Sequence, residues 1–413
     1  MNFTRKPVAL ALLTAGMSSM VAAPSVMADD DFFEALSGGK VSFSARARYE
    51  AVDQEGKKDA DAATLRTTLG YKTGQFHGFS AFAEIEDISD LGQDDYNDTI
   101  NGKADYAVIA DPENTEVNQA YLQYNGFDTE FKLGRQELTY RKAPFHRFIG
   151  NVLWRQNHQS YEGLSLTNSS LANTQINYAY INRQNTIFGD DKEVGTFIKD
   201  GQIDMSTHLV NVQYSGLSFG KLEGYGYFID YDDKPAASSQ TLGIRLSGGV
   251  PVSDAFKLIY TAEFANQNDY KDGTMDDQNY YLAELGGKYK GWLAKASYEM
   301  QQGDGTDSFK TPFGTNHAFQ GWADKFLSTP AQGLEDMYFT VVGKVLGAKV
   351  VAVYHDFETD KGGLDVGTEF DILAQKTFKE HYTVGAKYAD FNADSDFGGA
   401  DTEKFWLYGQ VKF

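Results

Sequence analysis

Residues 41–51 read VSFSARARYEA, and they alternate without a break. Val41, Phe43, Ala45, Ala47, Tyr49 and Ala51 take one face of an extended chain; Ser42, Ser44, Arg46, Arg48 and Glu50 take the other. One face suits hydrocarbon and the other water. The same period recurs over 64–71, where Leu65, Leu69 and Tyr71 oppose Arg66. It returns near 79–87, 116–125, 128–138, 160–168, 173–182, 207–215, 219–230 and 239–248. A last group falls near 255–266, 279–289, 291–302, 335–344, 347–357, 366–376, 381–391 and 403–413. The pattern predicts eighteen strands.

The links between them have their own rhythm. Those after even-numbered strands are short, as at 126–127, 216–218, 290 and 345–346; those after odd-numbered strands are longer and acidic, as at 88–115, 139–159, 183–206, 303–334 and 392–402. Short and long links in alternation predict an all-β, up-and-down antiparallel barrel crossing a membrane, with short periplasmic turns and long extracellular loops. Aromatics make up 14% of the chain and Gly 41 residues, against only 8 Pro, which suits tyrosine-rich girdles with polar loops. The final strand runs from Lys404 to a terminal Phe413, with Phe405, Leu407, Gly409, Val411 and Phe413 on one face. It resembles the strand by which bacterial barrel-assembly machinery recognises its clients.

Residues 1–28 predict an export leader: Arg5 and Lys6, then the apolar run 8–15, then small residues before Asp29. Its removal leaves 35 bases against 58 acids, a net charge of −23. Such a balance excludes nucleic acid as a partner. With no cysteine there is neither disulfide nor thiolate metal site. Residues 29–413 show no composition break and predict one domain.

Against this acidic background 131–160 stands out: FKLGRQELTYRKAPFHRFIGNVLWRQNHQS, six Lys and Arg with Glu137 as the one acid. Four of the nine arginines beyond the leader lie in it: Arg135, Arg141, Arg147 and Arg155. Its apolar residues (Phe145, Phe148, Ile149, Val152, Leu153, Trp154) predict that 139–159 folds into the barrel. A lipid-facing Arg or Lys near the midplane costs about 2–4 kcal/mol. Arg46, Arg48, Arg66 and Arg245 are therefore assigned to the lumen, with Lys295. Together with Arg135, Arg141, Lys142, Arg147 and Arg155 they make a positive, anion-selecting constriction. The competing reading is a set of ion pairs with neighbouring acids. Glu84, Glu86, Glu162, Glu284 and Glu299 are the inward acids available for it.

The acidic runs 87–98 and 269–277 lack calcium-loop spacing and read as solvated loops, in reach of divalent ions bridged to lipopolysaccharide. The seven histidines (His77, His146, His158, His208, His317, His355, His381) are scattered, and none sits in a catalytic or zinc motif. No catalytic residue, metal or cofactor is expected, and the chain is read as a non-enzyme.

Residues 309–336 (FKTPFGTNHAFQGWADKFLSTPAQGLED), with Leu133-Gly-Arg-Gln136 and Trp154-Arg-Gln-Asn157, resemble the alginate-export family of outer-membrane porins. The resemblance implies an eighteen-stranded barrel with an arginine-rich constriction, carboxylate contacts from Arg135 and Arg155, and loop-anchoring roles for Trp322, Asp324 and Lys325. The expected function is a passive outer-membrane channel for small anionic or sugar-acid solutes. A general-diffusion porin, a gated polyuronate exporter and an adhesive surface barrel are its rivals, and no oligomeric state is expected from the sequence.

Overall fold

The computed structural model describes residues 30–142, 147–314 and 316–413. The leader and the 143–146 stretch of the arginine segment, with Phe145 and His146, lie outside the described residues. Eighteen antiparallel strands follow one another in chain order. The first nine are β1 (Lys40–Gln54), β2 (Ala60–Lys72), β3 (Phe79–Asp95), β4 (Asn114–Gly126), β5 (Thr129–Gln136), β6 (Ser160–Asn168), β7 (Thr174–Asn185), β8 (Gln202–Leu217) and β9 (Gly220–Ile229). The rest are β10 (Ser239–Pro251), β11 (Phe256–Asp269), β12 (Gln278–Tyr289), β13 (Trp292–Gln301), β14 (Leu334–Val345), β15 (Ala348–Glu358), β16 (Asp365–Phe378), β17 (Tyr382–Ala393) and β18 (Thr402–Lys412). β18 pairs with β1, from Ser44 opposite Lys412 to Gln54 opposite Thr402, so the sheet closes with no free edge. Each of the eighteen expected strands overlaps one of these.

The tight turns are two residues long at 127–128, 218–219, 290–291 and 346–347. Both central residues have positive φ in three of them: Phe127 and Asp128, Lys290 and Gly291, Leu346 and Gly347. That is the hairpin geometry whose twist matches the flanking strands. At the opposite end lie nine loops, L1 to L9 in order. L2 (96–113), L3 (137–159) and L7 (302–333) are long, whereas L1 (55–59) and L8 (359–364) are no longer than the 73–78 turn. The alternation is thus looser than the sequence rhythm suggested: closing an antiparallel pair needs few residues at either end, and length is added only where a loop has something to reach.

The outer wall is apolar and ends in an exposed aromatic girdle at the short-turn end, with Tyr71, Phe79, Tyr289, Trp292, Tyr382 and Phe413. A short helix, α1 (Asp30–Ser37), lies at this end against the 73–78 turn, with Gly74 donating its backbone N–H to the Ala35 carbonyl and Phe32 set against Phe76. The core is inside the barrel. Phe148, Ile149, Phe309 and Phe313 of L3 and L7 pack with Tyr161, Tyr225, Tyr227 and Tyr280 of the wall; Trp322 and Phe326 pack with Phe357, Phe391 and Trp406. Among the described residues of 139–159, Phe148, Ile149 and Trp154 thus pack against these clusters.

Candidate permeation site

Lumen-facing rows of β1 to β3 hold the last part of L3. Arg46 donates from Nε to Gln156 Oε1 at 2.9 Å and from Nη1 to the Leu153 carbonyl at 3.0 Å. Arg48 donates to the Trp154 carbonyl at 2.6 Å and is ion-paired with Asp111 of L2 and with Glu50. Arg66 binds Glu86 at 2.7 Å, and the other oxygen of Glu86 accepts the His158 backbone N–H at 2.9 Å. Wall arginines thus grip loop carbonyls while wall carboxylates wait for the loop's own arginines.

Those arginines fan out to separate strands. Arg141 pairs with Glu223 of β9 at 2.9 Å and Glu263 of β11 at 2.7 Å; Arg147 pairs with Glu299 of β13 at 2.8 Å. Arg155 lies between Glu50 of β1 at 3.2 Å and Asp324 of L7 at 2.9 Å. Arg245 also binds Glu263, and Lys295 binds Glu284. Lys142 is exposed. Most of the assigned lumen cations therefore meet a carboxylate, the competing reading of the cluster. Arg46 differs: among the described residues its guanidinium has no carboxylate within ion-pair distance.

Arg135 stands elsewhere. It shares the outward row of Leu133 on β5 and pairs with Glu162 at 2.6 Å, and Glu162 lies near Arg183, itself 2.7 Å from Asp204. The assignment of Arg135 to the pore lining, and of Glu162 to the inward acids, is corrected. At the extracellular end of β5 a long side chain reaches the polar interface, so the lipid penalty that drives arginine inward does not act there.

L7 is fastened to both L3 and the wall. Gly150 donates its N–H to the Phe313 carbonyl at 2.8 Å, and the Trp154 ring stacks on His317 at 4.0 Å. Asp324, in a left-handed backbone conformation, accepts from Arg155 and Lys404, each at 2.9 Å, and from His317. Lys325 donates to Thr402 at 2.9 Å. Trp322 is buried, and beside it the Ala323 N–H meets Glu369 of β16 at 2.7 Å. Gly321, with φ +78°, lies so close to that carboxylate that a Cβ would collide with it. All three residues expected to anchor the loop sit in this seam.

Burial drives the His317 imidazole well below its ordinary 6.5; Asp324 of its own loop opposes the shift, while Lys387 of β17 and Arg155 of L3 add to it. A neutral imidazole fits its partners, with Nε2 facing the Lys387 ammonium and Nδ1 facing Asp324. Burial alone would raise the Asp324 carboxyl, but His317, Lys404 and Arg155 outweigh it and hold it well below the usual range. For the lowered imidazole, the opened loop binds a proton that the closed loop does not. The imidazole's contribution to holding the loop in is therefore fully present above about pH 6.5 and weakens below it, by about 1.4 kcal/mol per pH unit until the buried ring itself titrates. Channel conductance rising between pH 7.5 and 5, with the rise removed in His317→Asn, is the expected outcome.

No family model matches the chain, and no curated protein does. Solved structures do. The barrel aligns with Acinetobacter baumannii OccAB2 (TM-score 0.73, 15% identity, covering 92% of this chain and 99% of the other) and OccAB4 (TM-score 0.72, 13% identity, 91% and 98%). It also aligns with Pseudomonas aeruginosa OpdK, solved with vanillate (TM-score 0.69, 12% identity, 92% and 99%). The fold is that of an outer-membrane porin. With the apolar belt and aromatic girdle, it places the chain in the bacterial outer membrane. These neighbours form a different porin family from the alginate-export one, and they do not confirm the family resemblance drawn from 309–336.

Within this porin fold, sequence reading missed one feature. Lysines recur on the lumen-facing rows at the short-turn end, and the barrel sets them opposite one another: Lys40 against Lys72, Lys257 against Lys288, Lys344 against Lys349. Like charges directly opposed on neighbouring strands destabilise a sheet, yet the arrangement occurs three times around one mouth. Glu130, bound to Lys132 at 3.0 Å, is a carboxylate at the same end. The signal was in the sequence, since each of these lysines lies within a few residues of a strand end.

Proposed function

We propose that the barrel is a passive channel for small carboxylate-bearing solutes, and that the lysine pairs of the periplasmic mouth, rather than the L3 arginines, supply most of its attraction for anions. The observation that carries this reading is the threefold repetition of facing lysines. A site that accepts like-charge repulsion around an aqueous opening concentrates counter-charge there. Arg46 extends the positive path inward, while the ion-paired arginines hold the loops in place. That the related fold of OpdK was solved with vanillate, itself a carboxylate, supports the same solute class. The leader at 1–28 and the terminal Phe413 on the C-terminal strand fit export and barrel assembly.

The test is the zero-current potential of the refolded protein in a planar bilayer across a potassium chloride gradient. An anion-selective sign is expected, and it should persist in Arg135→Ala, whose side chain faces outward. A cation-selective sign would overturn the reading. A potential near zero would favour a general-diffusion porin, for which the neutralised L3 arginines are the supporting observation.

A further inference from the structure

Three of the four tryptophans converge on one ammonium. Lys387, on the lumen-facing row of β17, places Nζ 3.8 Å from the Trp154 ring centroid and 3.8 Å from that of Trp322, with Trp406 at 5.0 Å. The walls come from three parts of the chain: Trp154 from L3, Trp322 from L7 and Trp406 from β18. The buried indole N–H groups of Trp154 and Trp406 have no hydrogen-bond partner, so these rings present their faces and leave their polar edges unused. On its remaining side the ammonium meets His317 Nε2. Among the described residues no carboxylate stands within ion-pair distance of Lys387, although Asp371 and Glu369 are buried nearby on β16. A buried lysine that takes indole faces in place of a carboxylate sits in a cation–π cage.

We infer that Trp154, Trp322 and Trp406 form a cation-binding cage whose resident ligand is the chain's own Lys387, and that this self-ligation latches L3 and L7 shut. The inference rests on the channel reading. The geometry gives the direction: the cage is complete only when both loops lie inside, so the ammonium binds the closed state and has little to bind in the open one. Such differential binding is what shifts a two-state equilibrium. The cage is also selective by chemistry, because it suits a primary alkylammonium or guanidinium and offers nothing to a neutral group of the same size.

The experiment is planar-bilayer conductance of Lys387→Ala, Lys387→Met and Lys387→Arg, with heat-modifiable gel migration reporting the folded barrel. Alanine and methionine should each raise the open fraction by about tenfold, and arginine should stay near wild type. Millimolar propylammonium should return Lys387→Ala towards closure, while propanol should not. If Lys387→Ala fails to fold, Trp322→Leu, which leaves the wall intact, should show the same rise. Folded alanine and methionine variants that conduct as wild type, or rescue by propanol as good as by propylammonium, would overturn the latch. Trypsin cleavage after Lys325 in L7, in proteoliposomes, reads the loop without current. Should no variant conduct, faster cutting in Lys387→Ala than in wild type would support the latch while the channel reading fails; equal cutting would overturn the latch.

Discussion

Replacing Arg155 with alanine is expected to cost the folded barrel about 3–5 kcal/mol and to release both inward loops together. Arg155 is almost wholly buried between Glu50 and Asp324, with Asp111 at 3.6 Å, so its loss strands carboxylates from a strand, from L2 and from L7 in a water-poor interior. All three keep another cation: Arg48 for Glu50 and Asp111, Lys404 for Asp324. Those cations limit the damage to local opening rather than collapse of the barrel. The double variant Arg155→Ala with Asp324→Asn should recover part of the loss, because removing one carboxylate restores the charge balance of the buried cluster. Urea unfolding in detergent, followed by tryptophan fluorescence, measures the stability, and bilayer conductance measures the opening. A change within about 0.5 kcal/mol, the usual range for surface substitutions, would show that Arg155 is not the tie the geometry makes it.

The barrel was legible because its physics is local. A strand with lipid on one side and water on the other must alternate, and residues 41–51 do so with no knowledge of their neighbours. The packing of Phe148, Ile149 and Trp154 had a signal for a related reason: a loop with that much apolar surface needs a place to bury it. The pairing of the arginines was not legible. Arg141 meets Glu223 and Glu263, and Arg155 meets Glu50 and Asp324, across distances in sequence that only closure of the sheet brings together. A run of bases therefore read as an exposed field, when its charges are spent one by one on separate strands. Arg135 was grouped with its sequence neighbours instead of with the row it shares with Leu133. The tryptophan cage, assembled from L3, L7 and β18, had no local signal at all.

The facing lysines give the second large effect, and they separate function from stability. Lys288→Glu with Lys349→Glu would turn two repulsive pairs, Lys257 with Lys288 and Lys344 with Lys349, into attractive ones. If the lysines were only structural, the double variant should simply be better. Cross-strand pairs contribute about 0.2–1 kcal/mol each, so folded stability is expected to hold or rise slightly in urea unfolding. Selectivity should move the other way. Four units of charge are lost from one mouth, which should carry the zero-current potential from anion-selective towards neutral or cation-selective. These side chains are exposed, so the shift should be large in dilute salt and mostly gone near 1 M, where the screening length falls to about 3 Å. An unchanged potential in dilute salt would remove the lysine mouth from the mechanism and return the question to Arg46. A more stable barrel that no longer prefers anions would show why the repulsion is kept: it costs the sheet a little and sets which solutes enter.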